Sequence, residues 1–199
     1  MSFDIIDLFE KYDKSNMRDA IMGFPSQINN SFSIIKKLNL TNKYSDINQI
    51  LILGMGGSAI GGDVVKVMVQ NECSVPIMIN RSYNIPQWVN SNTLILASSY
   101  SGDTEETLSA FVQCKERKCP IIVLSTGGKI AEYAYKYGLD IIFIPTGYQP
   151  RAALGFSFSL IILLLNHLGF VANEIINKVN QSIALLETMS AELINGENS

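Results

Sequence analysis

Five short apolar runs, at residues 50–54, 76–80, 93–98, 120–124 and 141–145, recur along the chain from residue 50 onward. Most are rich in Ile, Val or Leu, the composition of strands covered on both faces. Helical spacing fills the intervals at 58–72, 104–118, 128–138 and 150–169. The remaining link, 80–92, has room for at most one helical turn. Strand and helix in alternation require a parallel sheet with right-handed crossovers. The expected fold is therefore a doubly wound α/β sandwich of five strands in flavodoxin-like order.

Two helical regions flank this unit. Ile5, Ile6, Leu8 and Phe9 form one apolar face, and Asp13–Ser15 breaks it. Met17, Ala20 and Ile21, then Ile28, Ile34, Ile35 and Leu38, continue at helical spacing with Gly23, Phe24 and Pro25 as punctuation. A last helix over 172–195 carries Ile175, Ile176, Val179, Ile183, Leu186 and Leu193. The expected division is a helical extension over 1–45, an α/β domain over 46–170 and a closing helix over 171–199.

Composition removes several function classes. Lys and Arg are scattered and the net charge is −3, which argues against nucleic acid as a partner. Three cysteines without zinc spacing and a single histidine offer no metal site, and fit a reducing, cytoplasmic location with incidental thiols. The N-terminus lacks the basic start of a signal peptide. Residues 152–172 are nearly uncharged and about long enough to span a bilayer. Their soluble α/β context favours a core or subunit-interface helix, apolar on every side, and no membrane.

In open parallel sheets, ligands bind at the carboxyl ends of the strands. The first strand ends in GMGGSAIGGD, where Gly56, Gly57 and Ser58 lead into a helix. Glycines let backbone N–H groups approach an anion, and the helix start favours negative charge. The third strand ends in SSYSGDTEET, placing Ser99, Ser101 and Thr104 before another helix. Hydroxyls with helix-start amides suit a phosphate monoester without lysine or metal. The ordinary alternative is an N-cap by Asp103 or Thr104, which leaves Ser99 and Ser101 unexplained.

The first loop has a rival reading. Gly54, Gly56 and Ala59 fit the dinucleotide fingerprint, which also wants an acid at the end of strand two for the ribose. That strand ends in Asn80 and Arg81, compatible at best with the 2′-phosphate of NADP. The absence of G-K-[ST] excludes a P-loop.

GMGGSAIGGD, SSYSGDTEETL and PRAALG, in this order, resemble the bifunctional phosphoglucose/phosphomannose isomerases of the sugar-isomerase (SIS) domain superfamily. The resemblance runs from about residue 20 onward. It implies a SIS-type α/β fold, a dimer, hexose 6-phosphate substrates and no metal or other cofactor. It also implies interconversion of glucose, mannose and fructose 6-phosphates through a cis-enediol. Carried over by position, Gly56, Gly57 and Ser58 fall in the first glycine loop, and Ser99, Ser101 and Thr104 in the phosphate loop. Arg151 takes the place of the arginine that stabilises the developing enediolate, a role the physics of a fixed cation supports. It opens an otherwise apolar segment, where an unpaired guanidinium is costly. Asp103 departs from the family, whose loop more often reads SGNT; its charge opposes that of a phosphate, although related sugar-isomerase domains tolerate an acid there.

Isomerisation also needs a base, and an acid to open the ring. In the family these are a glutamate and a histidine, with a contributing lysine, all in a second domain. The one histidine here, His167, matches none of them and is expected in a core or interface. Glu105 and Glu106 read as structural. The expectation is thus an N-terminal portion of such an enzyme, with its last helix leading to a second domain. The alternatives are a stand-alone phosphosugar-binding regulatory module and an NADP-binding enzyme. The apolar segment at 152–172 adds the expectation of a partner surface.

Overall fold

The computed structural model describes residues 9 and 11–195, the side chains of 193–195 excepted. The elements with described bounds begin with α1 (Met17–Met22) and α2 (Phe24–Lys36), after which the chain enters the sheet at β1 (Gln49–Leu53). There follow α3 (Gly56–Val69), β2 (Ile77–Asn80), β3 (Thr93–Ser99), α4 (Glu105–Glu116) and β4 (Ile121–Ser125). The order closes with α5 (Gly128–Tyr137), β5 (Asp140–Phe143), a 3₁₀ turn (Pro150–Ala152), α6 (Leu154–His167) and α7 (Asn173–Asn195).

All four strand pairings are parallel, in the order β2-β1-β3-β4-β5. Side chains alternate across the sheet as the two-residue period requires. Ile50, Ile52, Leu94, Leu96, Ile122 and Leu124 join one core with α2, α3, α6 and α7. Leu51, Leu53, Ile95, Ala97, Ile121 and Val123 join the other with α4 and α5. The winding therefore reverses between β1 and β3. The carboxyl ends of these two strands carry the glycine loop and the serine loop, which is where open sheets of this kind bind ligands.

Helix α6 settles the status of the long apolar segment. Residues 155–165 are buried without exception, enclosed by the sheet, α2, α3 and α7. A helix apolar on every side is explained within this chain, and the expected partner surface is not needed to cover it. No helix among the described residues is long and apolar enough to cross a membrane.

Several local expectations change. The helix expected from 150 starts at Leu154, because Pro150–Ala152 winds as a separate 3₁₀ turn. Phe24 and Pro25 open α2, proline being tolerated in a first turn whose N–H has no intrahelical partner. Ile21 is exposed, and His167 is exposed in the last turn of α6 rather than in the core. Ile5, Ile6 and Leu8 lie outside the described residues, as does the side chain of Leu193. Cys114 and Cys119 are buried free thiols, and Cys73 is half-buried.

The amino end of the sheet is fastened by one carboxylate. Asp140, at the start of β5, accepts from the amides of Thr41 and Asn42 and from the Thr41 hydroxyl at 2.7–3.0 Å. The Asn42 side chain and the Tyr44 phenol, the latter at 2.6 Å, complete the set. Burial pushes the Asp140 pKa up, but these donors outweigh it and hold the carboxyl down at about 2. The link from α2 into β1 is thereby tied to the sheet edge opposite the serine loop.

Candidate functional site

The glycine loop is shaped by a close backbone approach. Met55 is the extended residue before α3, and Gly56 and Gly57 are its first two helical residues. Their amides have no acceptor within the helix. A Cβ on Gly57 would stand 2.7 Å from the Pro150 carbonyl oxygen and 3.3 Å from the Arg151 Cα. Only glycine admits the 3₁₀ turn so near, and the turn brings Arg151 against the first loop.

Arg151 itself is exposed, and its guanidinium has no hydrogen bond or ion pair among the described residues. The desolvation cost expected for it therefore does not arise. Its backbone is held from the far side by Gln27 of α2, which is wholly buried and donates through Nε2 to the Ala152 carbonyl at 2.8 Å. The N-terminal helices, which carry no site motif, thus reach the arginine turn.

The serine loop folds on its own hydroxyls. Ser99 Oγ accepts from the Gly102 amide and donates to Thr104 Oγ1, both at 3.1 Å. It is nearly fully buried, so it shapes the loop from within. Ser101 Oγ accepts from the Asp103 amide at 3.3 Å and is exposed, leaving its own O–H to donate outward. Thr104 occupies the N-cap position of α4 without a side-chain cap bond. The capping alternative does not describe this loop. Free amides at the α4 start and the two hydroxyls leave donors for an anion.

Asp103 has another occupation. Its Oδ1 accepts from the Lys129 amide at the start of α5, at 2.9 Å. The neighbouring backbones meet directly there, because a Cβ on Gly102, whose φ is +80°, would fall 2.0 Å from the Gly127 carbonyl oxygen. The carboxylate is thus engaged by a helix start and stitches the third and fourth strand-end loops together.

Tyr100, between the two serines, links the remaining loops. Its amide donates to Ser58 Oγ at 3.3 Å, and its carbonyl accepts from the Thr126 amide and hydroxyl at 3.1 and 2.8 Å. Its phenol donates to the Pro145 carbonyl at 2.9 Å and accepts from the Tyr148 amide at 3.0 Å. Burial raises the phenol's pKa, which keeps it protonated and donating at neutral pH. Ser58, itself buried, is the acceptor that joins the first loop to the third. The sequence-predicted residues therefore form one series of contacts, Arg151–Gly57, then Ser58–Tyr100, then Ser99–Thr104. Sequence reasoning passed over Tyr100 and Gln27. The signal for Tyr100 was its place inside the serine run, and none existed for Gln27.

At the end of β2, Arg81 is paired with Asp63 of α3. The cation that a 2′-phosphate would need is already matched, and β2 ends at Asn80, followed by Arg81, without the acid that a ribose would need. No group of three or more His, Cys, Asp or Glu suited to a metal ion exists among the described residues.

No family model matches the chain. A bifunctional phosphoglucose/phosphomannose isomerase of Caldicellulosiruptor bescii is 42% identical over 173 residues, covering 87% of this chain and 51% of that protein. A D-glucosamine-6-phosphate 4-epimerase of Sulfolobus acidocaldarius is 30% identical over 151 residues, 74% of this chain and 48% of that protein. Among solved structures, the C-terminal domain of glucosamine-fructose-6-phosphate aminotransferase from Francisella tularensis superimposes with a TM-score of 0.60 at 16% identity, over 94% of this chain and 56% of that one. That likeness is one of fold. The chain spans about half the length of the curated relatives it matches. Across 87% of its residues, on a five-stranded parallel sheet, the chain is thus similar in sequence to a bifunctional phosphoglucose/phosphomannose isomerase, and the likeness spans 51% of that protein.

Proposed function

We propose that this chain is the phosphate-binding half of an aldose–ketose isomerase acting on hexose 6-phosphates, with no metal or other cofactor. The observation that carries this reading is the convergence of two open helix starts, α3 and α4, with an unpaired arginine at the point where the sheet reverses its winding. In this reading Ser101 and Thr104 hold the phosphate together with the first amides of α4. Ser99 and Ser58 keep that loop in shape and against the glycine loop. Gly56 and Gly57 make room for the sugar, and Arg151 faces its reacting end.

The chemistry moves one proton between neighbouring carbons. A base takes the proton from C2 of the open-chain aldose, and the electron pair left behind forms the C1–C2 double bond while O1 gains negative charge. A proton then passes from O2 to O1, the C2 carbonyl forms as the double bond takes a proton at C1, and the ketose results. A fixed guanidinium at O1 or O2 lowers the barrier because it meets charge that exists only on the way through. Of the nearby carboxylates, Asp103 is engaged by Lys129, and Glu105 accepts from the Tyr83 phenol. The base and the ring-opening acid are accordingly assigned to a further domain. The relatives' greater length supports this. Residues 171–199 then form the connection, and dimer assembly belongs to the same reading.

The test is binding and turnover of the full chain. Fructose 6-phosphate raises the thermal midpoint, as a ligand of the native state alone must, and NADPH does not. A shift with NADPH alone overturns the reading. Glucose 6-phosphate to fructose 6-phosphate conversion by the chain stays near background, and robust turnover locates a base within these residues.

A further inference from the structure

We infer that Tyr100 is a positioning residue for Arg151, its phenol setting the segment that delivers the arginine, so that the phosphate loop and the arginine turn move as one unit. This rests on the sugar-phosphate reading and adds to it a residue with no direct contact to ligand. Of the residues between β5 and the 3₁₀ turn, Pro145 and Tyr148 are both bound by this one oxygen, at 2.9 and 3.0 Å. The Tyr148 ring packs edge-on against Phe156 of α6, with centroids 5.6 Å apart. The segment is thereby held between the serine loop and the buried helix, and three residues past Tyr148 the chain reaches Arg151. The same residue's backbone is bound to Ser58 and Thr126. Those bonds are backbone bonds, which substitution of the ring oxygen leaves in place. The phenol oxygen is thus a separable link between the loop that takes phosphate and the turn that carries the cation.

The separation suggests the experiment. In 6-phosphogluconate a carboxylate occupies the C1 position, where the enediolate charge develops, and sorbitol 6-phosphate is neutral there. The ratio of their dissociation constants measures what the cation at the reacting end contributes, with the phosphate contribution cancelled. Isothermal titration of the full chain gives the ratio for the unsubstituted protein, Tyr100→Phe, Arg151→Ala and the double variant. Tyr100→Phe keeps the ring and removes only the oxygen. Its expected effect is a drop of about 3- to 10-fold in the preference for 6-phosphogluconate, the size of one or two ordinary hydrogen bonds. Sorbitol 6-phosphate binds as before. On the Arg151→Ala background the same substitution changes nothing further, the non-additivity expected of coupled residues. A structural role alone lowers both affinities together and leaves the ratio fixed. Amide exchange at Tyr148, whose N–H loses its acceptor, accelerates in Tyr100→Phe.

An unchanged ratio in Tyr100→Phe, or the same drop with and without Arg151, overturns the inference while the sugar-phosphate reading stands. Failure of the unsubstituted chain to bind either ligand overturns that reading, and the inference with it. Unaltered Tyr148 exchange in Tyr100→Phe overturns the inference independently of any ligand.

Discussion

Gly57 and the Arg151 turn share a single space, since a Cβ at Gly57 would lie 2.7 Å from the Pro150 carbonyl oxygen and 3.3 Å from the Arg151 Cα. Both approaches are to backbone, which cannot rotate aside as a flexible side chain does. The glycine loop and the arginine turn are therefore mutually fixed, although about ninety residues separate them.

Gly57→Ala displaces the turn or the start of α3. The expected destabilisation is about 1–3 kcal/mol, the range for forcing an added methyl into a packed contact. Denaturant unfolding measures it. Ser101 and Thr104 themselves are unaltered, so inorganic phosphate still binds, and the preference for a C1 carboxylate falls as the turn that carries Arg151 shifts.

The serines of the third loop separate by role. Ser101→Ala with Thr104→Ala removes two outward donors and abolishes the thermal shift given by fructose 6-phosphate. Ser99→Ala acts on the fold, because it leaves the Gly102 amide without its acceptor. A loss of about 1–3 kcal/mol is expected for that buried donor. Differential scanning fluorimetry with and without ligand distinguishes the two outcomes. Full binding by the double variant moves the phosphate site away from this loop.

The sheet and its helices were legible because period and composition are local properties, and Ile50 to Leu53 state both cores in four residues. The two loops were legible for the same reason, glycine and hydroxyl runs at strand ends being contiguous signals. The engagement of Asp103 was not legible, because its partner, the Lys129 amide, is 26 residues away. The core reading of the 152–172 segment holds for 155–165, whereas His167, expected in a core or interface, is exposed on this chain, because a residue's exposure depends on which elements cover it. The tie from Gln27 to Ala152 spans 125 residues and has no sequence signal.

Asp140 gives a pH dependence whose sign follows from its donors. A carboxylate held at about 2 when folded, against about 4 when unfolded, stabilises the fold fully above pH 4. That contribution is lost as pH falls from about 4 to 2. Asp140→Asn removes it at neutral pH, with an expected loss of about 1.5–3 kcal/mol for hydrogen bonds to a charged group. Urea midpoints from pH 7 to 2 show the difference between the two proteins narrowing only in that window. A difference constant down to pH 2 places the linkage elsewhere. Sugar-phosphate binding at pH 7 is unaffected, because Asp140 sits at the amino end of the sheet.

Leu164 tests whether α6 belongs to the core of one chain. It is fully buried among the sheet, α2, α3 and α7. Truncation to alanine removes apolar contacts and leaves a cavity, and the expected loss is about 2–5 kcal/mol. At this chain length each kcal/mol lowers the thermal midpoint by about 2–4 °C. The lining of the cavity is intramolecular, so the loss must be the same at micromolar and at hundredfold higher protein concentration. An interface helix behaves differently, since its burial depends on association and its deficit shrinks as concentration rises. Equal midpoint shifts across that range, read by calorimetry, are the expected result, and a concentration-dependent deficit assigns the apolar face of α6 to a partner.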